Sequence, residues 1–289
     1  MTRTIGLLHP GEMGTTVGAA ARRNEAQVAW TSDGRGPLTR ARAEEAGLTD
    51  AGFLPALVEG SRIILSVCPP HAAAEVARAV AEQRFSGVYV DANAVSPATV
   101  RDIRQIVEAG GASFVDGGII GPPAVHPGTT RLYLSGAESA RVAACFRRGP
   151  LEACVLDGPP GAASALKMSY AAWTKGSAAL LIAIRTLAMH EGVDAALIRE
   201  WELSQAGLPG RSDGAVRSNA AKAWRFTGEM EEIADTFATA GLPDGFHRAA
   251  AEVYRRMTGY KGAANPPSVE EAAARILAGT APRKSSAAS

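Results

Sequence analysis

The sequence predicts an α/β protein with a doubly wound, largely parallel sheet in its first half and an all-helical second half. Three observations predict it. Short apolar runs alternate with helix-like segments up to about residue 157, the pattern of strands covered on both faces. The first of these runs passes through closely spaced glycines directly into a helix-like stretch. Beyond Asp157-Gly158-Pro159-Pro160-Gly161 the strand-like runs stop and helix-forming sequence remains. The expected divisions are therefore 1–157, 158–279 and a terminal segment, 280–289.

Ile5 to Leu8 reads as the first strand and Gly11 to Arg23 as the first helix; Gln27 to Thr31 and Leu38 to Ala46 repeat the pair. Arg62 to Cys68 is a continuous apolar strand stopped by Pro69-Pro70, followed by a helix from His71 to Gln83. Val88 to Asp91, a helix over Pro97 to Ala109, Ser113 to Asp116 and, after a loop, Arg131 to Ser135 complete the first half. Ala162 to His190 is apolar nearly all round, which predicts a helix buried on every side. Such a helix would be about 43 Å long at 1.5 Å per residue, longer than a small domain needs, so a partner subunit in a homodimer is expected to cover part of it. Helices are expected over Ala195 to Ser204, Gly214 to Ala223, Met230 to Ala240, Gly245 to Met257 and Val269 to Leu277. Thr280 to Ser289 lacks apolar periodicity and is expected to be a disordered tail.

Composition narrows the function class. A formal net charge of +1 over 289 residues gives no electrostatic case for nucleic acid or membrane partners. Cys68, Cys145 and Cys154 have neither a C-x-x-C spacing nor an even count, so reduced thiols are expected rather than a disulfide framework or a zinc site. His126, His190 and His247 have no metal-ligand spacing, and no metal is expected. The chain opens into a strand without a basic and apolar leader, which leads to the expectation of a cytoplasmic protein.

Strand, glycine turn and helix start form the architecture that receives a dinucleotide diphosphate: glycines let the backbone approach the phosphates, and free N–H groups at the helix start point at them. In the pattern G-x-G-x-x-G, His9 stands at the first glycine while Gly11 and Gly14 are in register, which makes His9, Pro10, Gly11, Glu12, Met13 and Gly14 the candidate cradle. In such sheets ligands sit at the C-terminal ends of the strands. The segments to inspect are thus His9 to Gly14, Ser32 to Arg35, Cys68 to His71, Asn93 to Ser96 and Gly117 to Pro123. An acid at the end of the second strand favours NAD, whereas Ser or Arg there favours the 2′-phosphate of NADP. Ser32 and Arg35 point to NADP, with NAD left open by Asp33. Cys68 and Pro69 would pass under the nicotinamide, and Asn93 and Ser96 are candidates to hydrogen-bond nicotinamide or substrate, although Ser96-Pro97 also fits a helix cap.

Four motifs occur in a recognisable order: Gly6-Leu-Leu-His-Pro-Gly-Glu-Met-Gly14, Asp91-Ala-Asn-Ala-Val-Ser-Pro97, Phe114-Val-Asp-Gly-Gly-Ile-Ile-Gly-Pro-Pro123 and Gly158-Pro-Pro-Gly-Ala-Ala-Ser-Ala-Leu-Lys167. In this order the chain resembles the β-hydroxyacid dehydrogenase superfamily, and in particular its branch with a 6-phosphogluconate-dehydrogenase-like NAD-binding domain and a short helical C-terminal domain. The resemblance implies a Rossmann-type N-terminal domain and NAD(P)-dependent oxidoreduction. Three positions depart from the pattern. Asp91-Ala92-Asn93-Ala94 replaces D-x-S-T, Ile120-Gly121-Pro122 replaces Ser-Gly-Gly, and Ala171 replaces the Asn one turn after the lysine.

Lys167 is the prime catalytic candidate, because a lysine entering an apolar helix can be tuned by burial toward proton exchange near neutrality. Tyr170 and Thr174 share its helix face and are expected to orient substrate. Lys175, about 12 Å further along, reads as a solvated or carboxylate-binding charge. The reading is an NADP-dependent oxidoreductase acting on a small polar carbonyl or hydroxy compound, with Lys167 as general acid or base. An imine reductase on the same scaffold and a non-catalytic dinucleotide-binding sensor are the alternatives.

Overall fold

The computed structural model describes residues 4–279; the expected tail at 280–289 lies outside them. The chain divides into two compact units, Met1–Ser169 and Tyr170–Ser289, which part inside one long helix.

In the first unit, eight strands make one sheet: β1 Thr4–Leu8, β2 Gln27–Trp30, β3 Thr49–Asp50, β4 Ile63–Ser66, β5 Val88–Asp91, β6 Ser113–Ile120, β7 Thr130–Ser135 and β8 Leu151–Val155. Their order is β3-β2-β1-β4-β5-β6-β7-β8. All neighbours are parallel except β6 and β7. Helices α1 Glu12–Arg22, α2 Pro37–Glu45, α3 Leu54–Gly60, α4 Ala73–Glu82, α5 Pro97–Ala109 and α6 Ser139–Ala143 connect the strands. The continuous apolar runs are explained by two cores. Ile5, Leu7, Ile63, Leu65, Val88 and Val90 enter one, while Leu8, Ile64 and Tyr89 enter the other. Side chains alternate along a strand, so a strand apolar at every position must be buried on both faces.

Sequence reading missed β3, β8, α3 and α6. β3 has two exposed residues, and β8 is an edge strand with Glu152 and Val155 exposed, so neither carries a full apolar run. The two helices are too short to display a 3.6-residue period. One expectation is corrected: Gly117 to Ile120 is not loop but the second half of β6, paired antiparallel from Asp116↔Ser135 to Ile120↔Arg131. Close approach requires glycine at 118 and leaves little room at 117. A β-carbon on Gly117 would stand 3.0 Å from the Asp91 carbonyl oxygen, and one on Gly118 2.6 Å from that of Ala163.

The long helix, α7, spans Ala162–His190, as the sequence predicts. In the second unit it is followed by α8 Asp194–Ser204, α9 Leu208–Asn219, α10 Ala223–Thr239, α11 Gly245–Arg256 and α12 Val269–Ala278. Arg185 ties three of these helices together. Its buried guanidinium grips both carboxylate oxygens of Asp194 at 2.6 and 3.1 Å and donates to Asp213 and Ser212 at 2.9 and 2.8 Å. A buried cation so fully paired keeps its desolvation cost covered. Within the chain itself α7 is left uncovered along one side, the part for which a partner subunit is expected. Leu166, Tyr170, Trp173, Leu180 and Leu187 are 37, 50, 66, 57 and 60 % exposed, an apolar stripe along the helix. Among the described residues no helix is long and apolar enough to cross a membrane.

Candidate dinucleotide site and its lysine

The turn between β1 and α1 is built by a short chain of constraints. His9 adopts φ 65°, a left-handed conformation costly for a residue with a β-carbon, and its carbonyl accepts the Gly11 N–H at 2.8 Å. The Thr15 hydroxyl closes the turn by donating to the Pro10 carbonyl at 2.9 Å. Gly14 is buried against this turn: a β-carbon there would stand 2.4 Å from the His9 oxygen. Gly11 differs. It has ordinary φ and ψ, −73° and −167°, and a β-carbon would meet nothing within 4 Å. No side chain caps the start of α1, which leaves first-turn N–H groups for an outside acceptor. Pro10 is buried, Met13 half-buried and Glu12 exposed.

Two buried polar atoms have no hydrogen-bond partner here: His9 Nδ1 on this turn, and Nε of Arg35, which follows β2 and whose charge is felt at His9. The imidazole is pushed down to about 4 by burial and, secondarily, by the Arg35 charge, so it is neutral at physiological pH. The residues present therefore fit an anionic dinucleotide: an uncapped helix start, an open position at Gly11 and two unsatisfied nitrogens.

Arg35 sits at the end of a four-residue turn after β2, closed by its own N–H to the Ser32 carbonyl at 3.1 Å. Arg40 was missed by sequence reading. Its guanidinium clamps both ends of the turn, donating to the Ser32 carbonyl at 2.7 Å and to the Arg35 carbonyl at 3.1 Å. A cation in the first turns of a helix opposes the helix dipole, and that was the available signal of a specific task. Asp50, at the end of β3, was also missed. Hydrogen bonds from the Ser32 hydroxyl, the Gly52 N–H at 2.8 Å and the Ser32 N–H at 3.2 Å hold its carboxyl below the usual range. The Ser32 hydroxyl proton is thus engaged by Asp50, and Asp33 is exposed.

Asn93 is buried and fully occupied within the sheet. It accepts the Cys68 N–H at 2.6 Å and donates to Ser66 Oγ at 3.1 Å and Asp91 Oδ2 at 2.8 Å, bracing β4 against β5. Cys68 is buried, its thiol pushed up to about 12 chiefly by burial, while Pro69 is exposed. Ser96 caps α5, accepting the Thr99 N–H at 3.2 Å. Asp91 is completely buried, and burial pushes its carboxyl up to about 7, with nearby Asp116 adding to the rise and Asn93 and the Lys167 charge opposing it.

Lys167 is half-buried in the first unit, on the second turn of α7, where a β-carbon on Gly118 would stand 3.3 Å from its own. Tyr170 and Thr174 fall in the second unit. Tyr170 is half exposed, and the Thr174 hydroxyl turns back to the Tyr170 carbonyl at 3.2 Å. Lys175 binds a carboxylate of its own chain, Glu229, at 2.7 Å.

A family model described as a domain of unknown function (DUF1932) matches residues 188–257. An uncharacterized 28.5 kDa protein of Methanothermus fervidus, from the 7S RNA 5′ region, is 29 % identical over 190 residues, 65 % of this chain and 72 % of that protein. The solved structure of MTH1747, a conserved protein of unknown function described as structurally similar to 3-hydroxyacid dehydrogenases, matches with a TM-score of 0.64 at 26 % identity, over 88 % of this chain and 99 % of that one. 3-Hydroxyisobutyrate dehydrogenase of Mycobacterium tuberculosis matches with a TM-score of 0.70 at 18 % identity, over 96 % of this chain and 99 % of that one. The chain thus shares the fold of these structures, one of them a 3-hydroxyacid dehydrogenase.

Proposed function

We propose that the protein is an NADP-dependent oxidoreductase acting on a small polar carbonyl or its hydroxy counterpart. The observation that carries this reading is the β1–α1 turn, where an uncapped helix start and an unfilled position at Gly11 adjoin the unpartnered nitrogens of His9 and Arg35. Its fold, shared with the 3-hydroxyacid dehydrogenases, and the lysine on α7 support the same conclusion. His9 to Gly14 would cradle the diphosphate. Arg35, held by Arg40, would meet the 2′-phosphate, with Ser32 beside it.

When bound, the nicotinamide supplies or accepts the hydride at C4. Lys167 gives a proton to the carbonyl oxygen in reduction and takes it from the hydroxyl in oxidation. Tyr170, one turn further along the helix, orients the substrate. Asn93 would serve through its brace, holding Cys68 and Pro69 in place at the end of β4 on the proposed nicotinamide side of the site.

We further propose a homodimer in which the stripe of Tyr170, Trp173, Leu180 and Leu187 meets a second copy, and a cytoplasmic location. The test of function is titration with NADPH and NADH by fluorescence, followed by turnover on a carbonyl panel and on parallel amine-plus-ketone mixtures. NADPH-dependent reduction of a carbonyl supports the reading. Turnover only with amine present converts it to imine reduction, tight binding without turnover to a sensor, and failure to bind either cofactor ends it.

A further inference from the structure

Asp116, on β6, is completely buried and accepts four hydrogen bonds. Oδ2 accepts the Ser135 hydroxyl at 3.0 Å, the Gly161 N–H at 2.9 Å and the Ser164 N–H at 3.0 Å; Oδ1 accepts the Ser164 hydroxyl at 2.6 Å. Three of these four donors lie at the entrance to α7. Ser135, on β7, reinforces them by accepting the Ala163 N–H at 3.2 Å. Helices are usually capped by the residue just before them, but that position here is Gly161, with φ 108° and no side chain. The cap comes instead from a strand 45 residues away. A local cap would satisfy the helix equally well, whereas a cap from the sheet also fixes where the helix stands. Gly118, two residues beyond Asp116 on the same strand face, lets α7 press onto the sheet, with Ala163 and Lys167 directly above it. Ser164 and Lys167 are i and i+3 on one helix face, so the anchor lies one turn before the lysine.

The same carboxyl adjoins Asp91, its Cα partner across β5 and β6. The charged and titratable groups coupled to Asp91 are Asp116 from β6, Lys167 from α7, Tyr89 from its own strand and Cys68 from the end of β4.

We propose that Asp116 is a positioning residue for Lys167: by docking the first turn of α7 on β6 it sets the distance between the lysine and the carboxyl pair beneath it, and thereby the lysine's proton affinity. This rests on the reading of Lys167 as proton donor and acceptor. The experiment does not require turnover. Lysine side chains are labelled by reductive ¹³C-methylation of the full chain, the Lys167 signal is assigned by its absence in Lys167→Met, and its titration is followed in wild type and in Asp116→Asn. Loosening the cap draws the lysine away from the Asp91 carboxyl and favours its neutral form, so the midpoint should fall; because Asp116→Asn also deletes a charge, Ser164→Ala, which deletes none, is titrated beside it and should shift the midpoint in the same direction, with NADPH affinity unchanged in both. An unmoved midpoint in a folded Asp116→Asn protein overturns the proposal. Ser164→Ala separates position from charge: it deletes the shortest of the four contacts and no charge, and an unmoved Lys167 midpoint there overturns the proposal whether or not Asp116→Asn folds. Should wild type bind no nicotinamide cofactor while the midpoint still shifts, the oxidoreductase reading fails and the positioning of the lysine stands.

Discussion

Gly14 faces the carbonyl of His9 so closely that a β-carbon would stand 2.4 Å from its oxygen, while Gly11, three residues earlier, faces open space. The two glycines of one turn therefore serve different ends. Gly14→Ala should destabilise the protein by about 2 kcal/mol or more, because backbone must move. Gly11→Ala should leave stability within about 0.5 kcal/mol yet weaken NADPH binding by about tenfold or more, since its methyl group enters the space proposed for the diphosphate. Urea unfolding and fluorescence titration of both variants check this, and a stable Gly11→Ala protein with wild-type affinity would remove the turn as the cofactor cradle.

Arg35 carries the proposed choice of cofactor, because the Ser32 hydroxyl proton is engaged by Asp50. Arg35→Ala should raise the dissociation constant for NADPH with little effect on NADH. Arg40→Ala, which frees the turn without touching ligand, should show the same selectivity in weaker form. Equal losses for both cofactors in Arg35→Ala would transfer the arginine from the 2′-phosphate to the diphosphate.

Lys167→Met should keep the helix and NADPH binding, Met having similar length and helix propensity. Turnover should drop by the ~10²–10⁴-fold typical of a lost general acid or base, and the corresponding limb of the pH profile should vanish. Near-normal turnover in the folded variant would direct the search to Tyr170.

His9 should leave a signature in acid stability. Its folded pKa of about 4 lies below the value of about 6.5 for an unfolded histidine, so between these limits the unfolded chain binds a proton that the native chain refuses. Native stability should consequently fall as pH drops through this window. His9→Gly, which also relieves the left-handed strain, should gain about 2 kcal/mol more over wild type at pH 5 than at pH 7. Parallel urea midpoints for both proteins measure the difference, and identical losses on acidification would show that the imidazole is not held neutral.

The stripe on α7 predicts the assembly. Leu180→Glu, at a 57 % exposed position, should convert the proposed homodimer to monomer with its fold intact, as read by light scattering and circular dichroism. A wild-type monomer at micromolar concentration would contradict the interface. Leu181, next in sequence, is half-buried and would report on folding instead.

The sequence by itself determined the alternation of strands and helices, the glycine turn and the full span of α7, because these depend on local pattern: apolar runs, closely spaced glycines and an uninterrupted helix-forming stretch. It marked Lys167, His9 and Arg35 by residue type and position. It could not show that Asn93 would be used up bracing β4 to β5, that the Ser32 hydroxyl would be claimed by Asp50, or that Asp116 would cap a helix 45 residues away. Those relations join residues far apart in the chain, and hydrogen-bonding capacity in a sequence does not reveal which distant donor will consume it. Tertiary structure alone decided them, by bringing β3, β5, β6 and the start of α7 to the positions where buried polar groups must find partners.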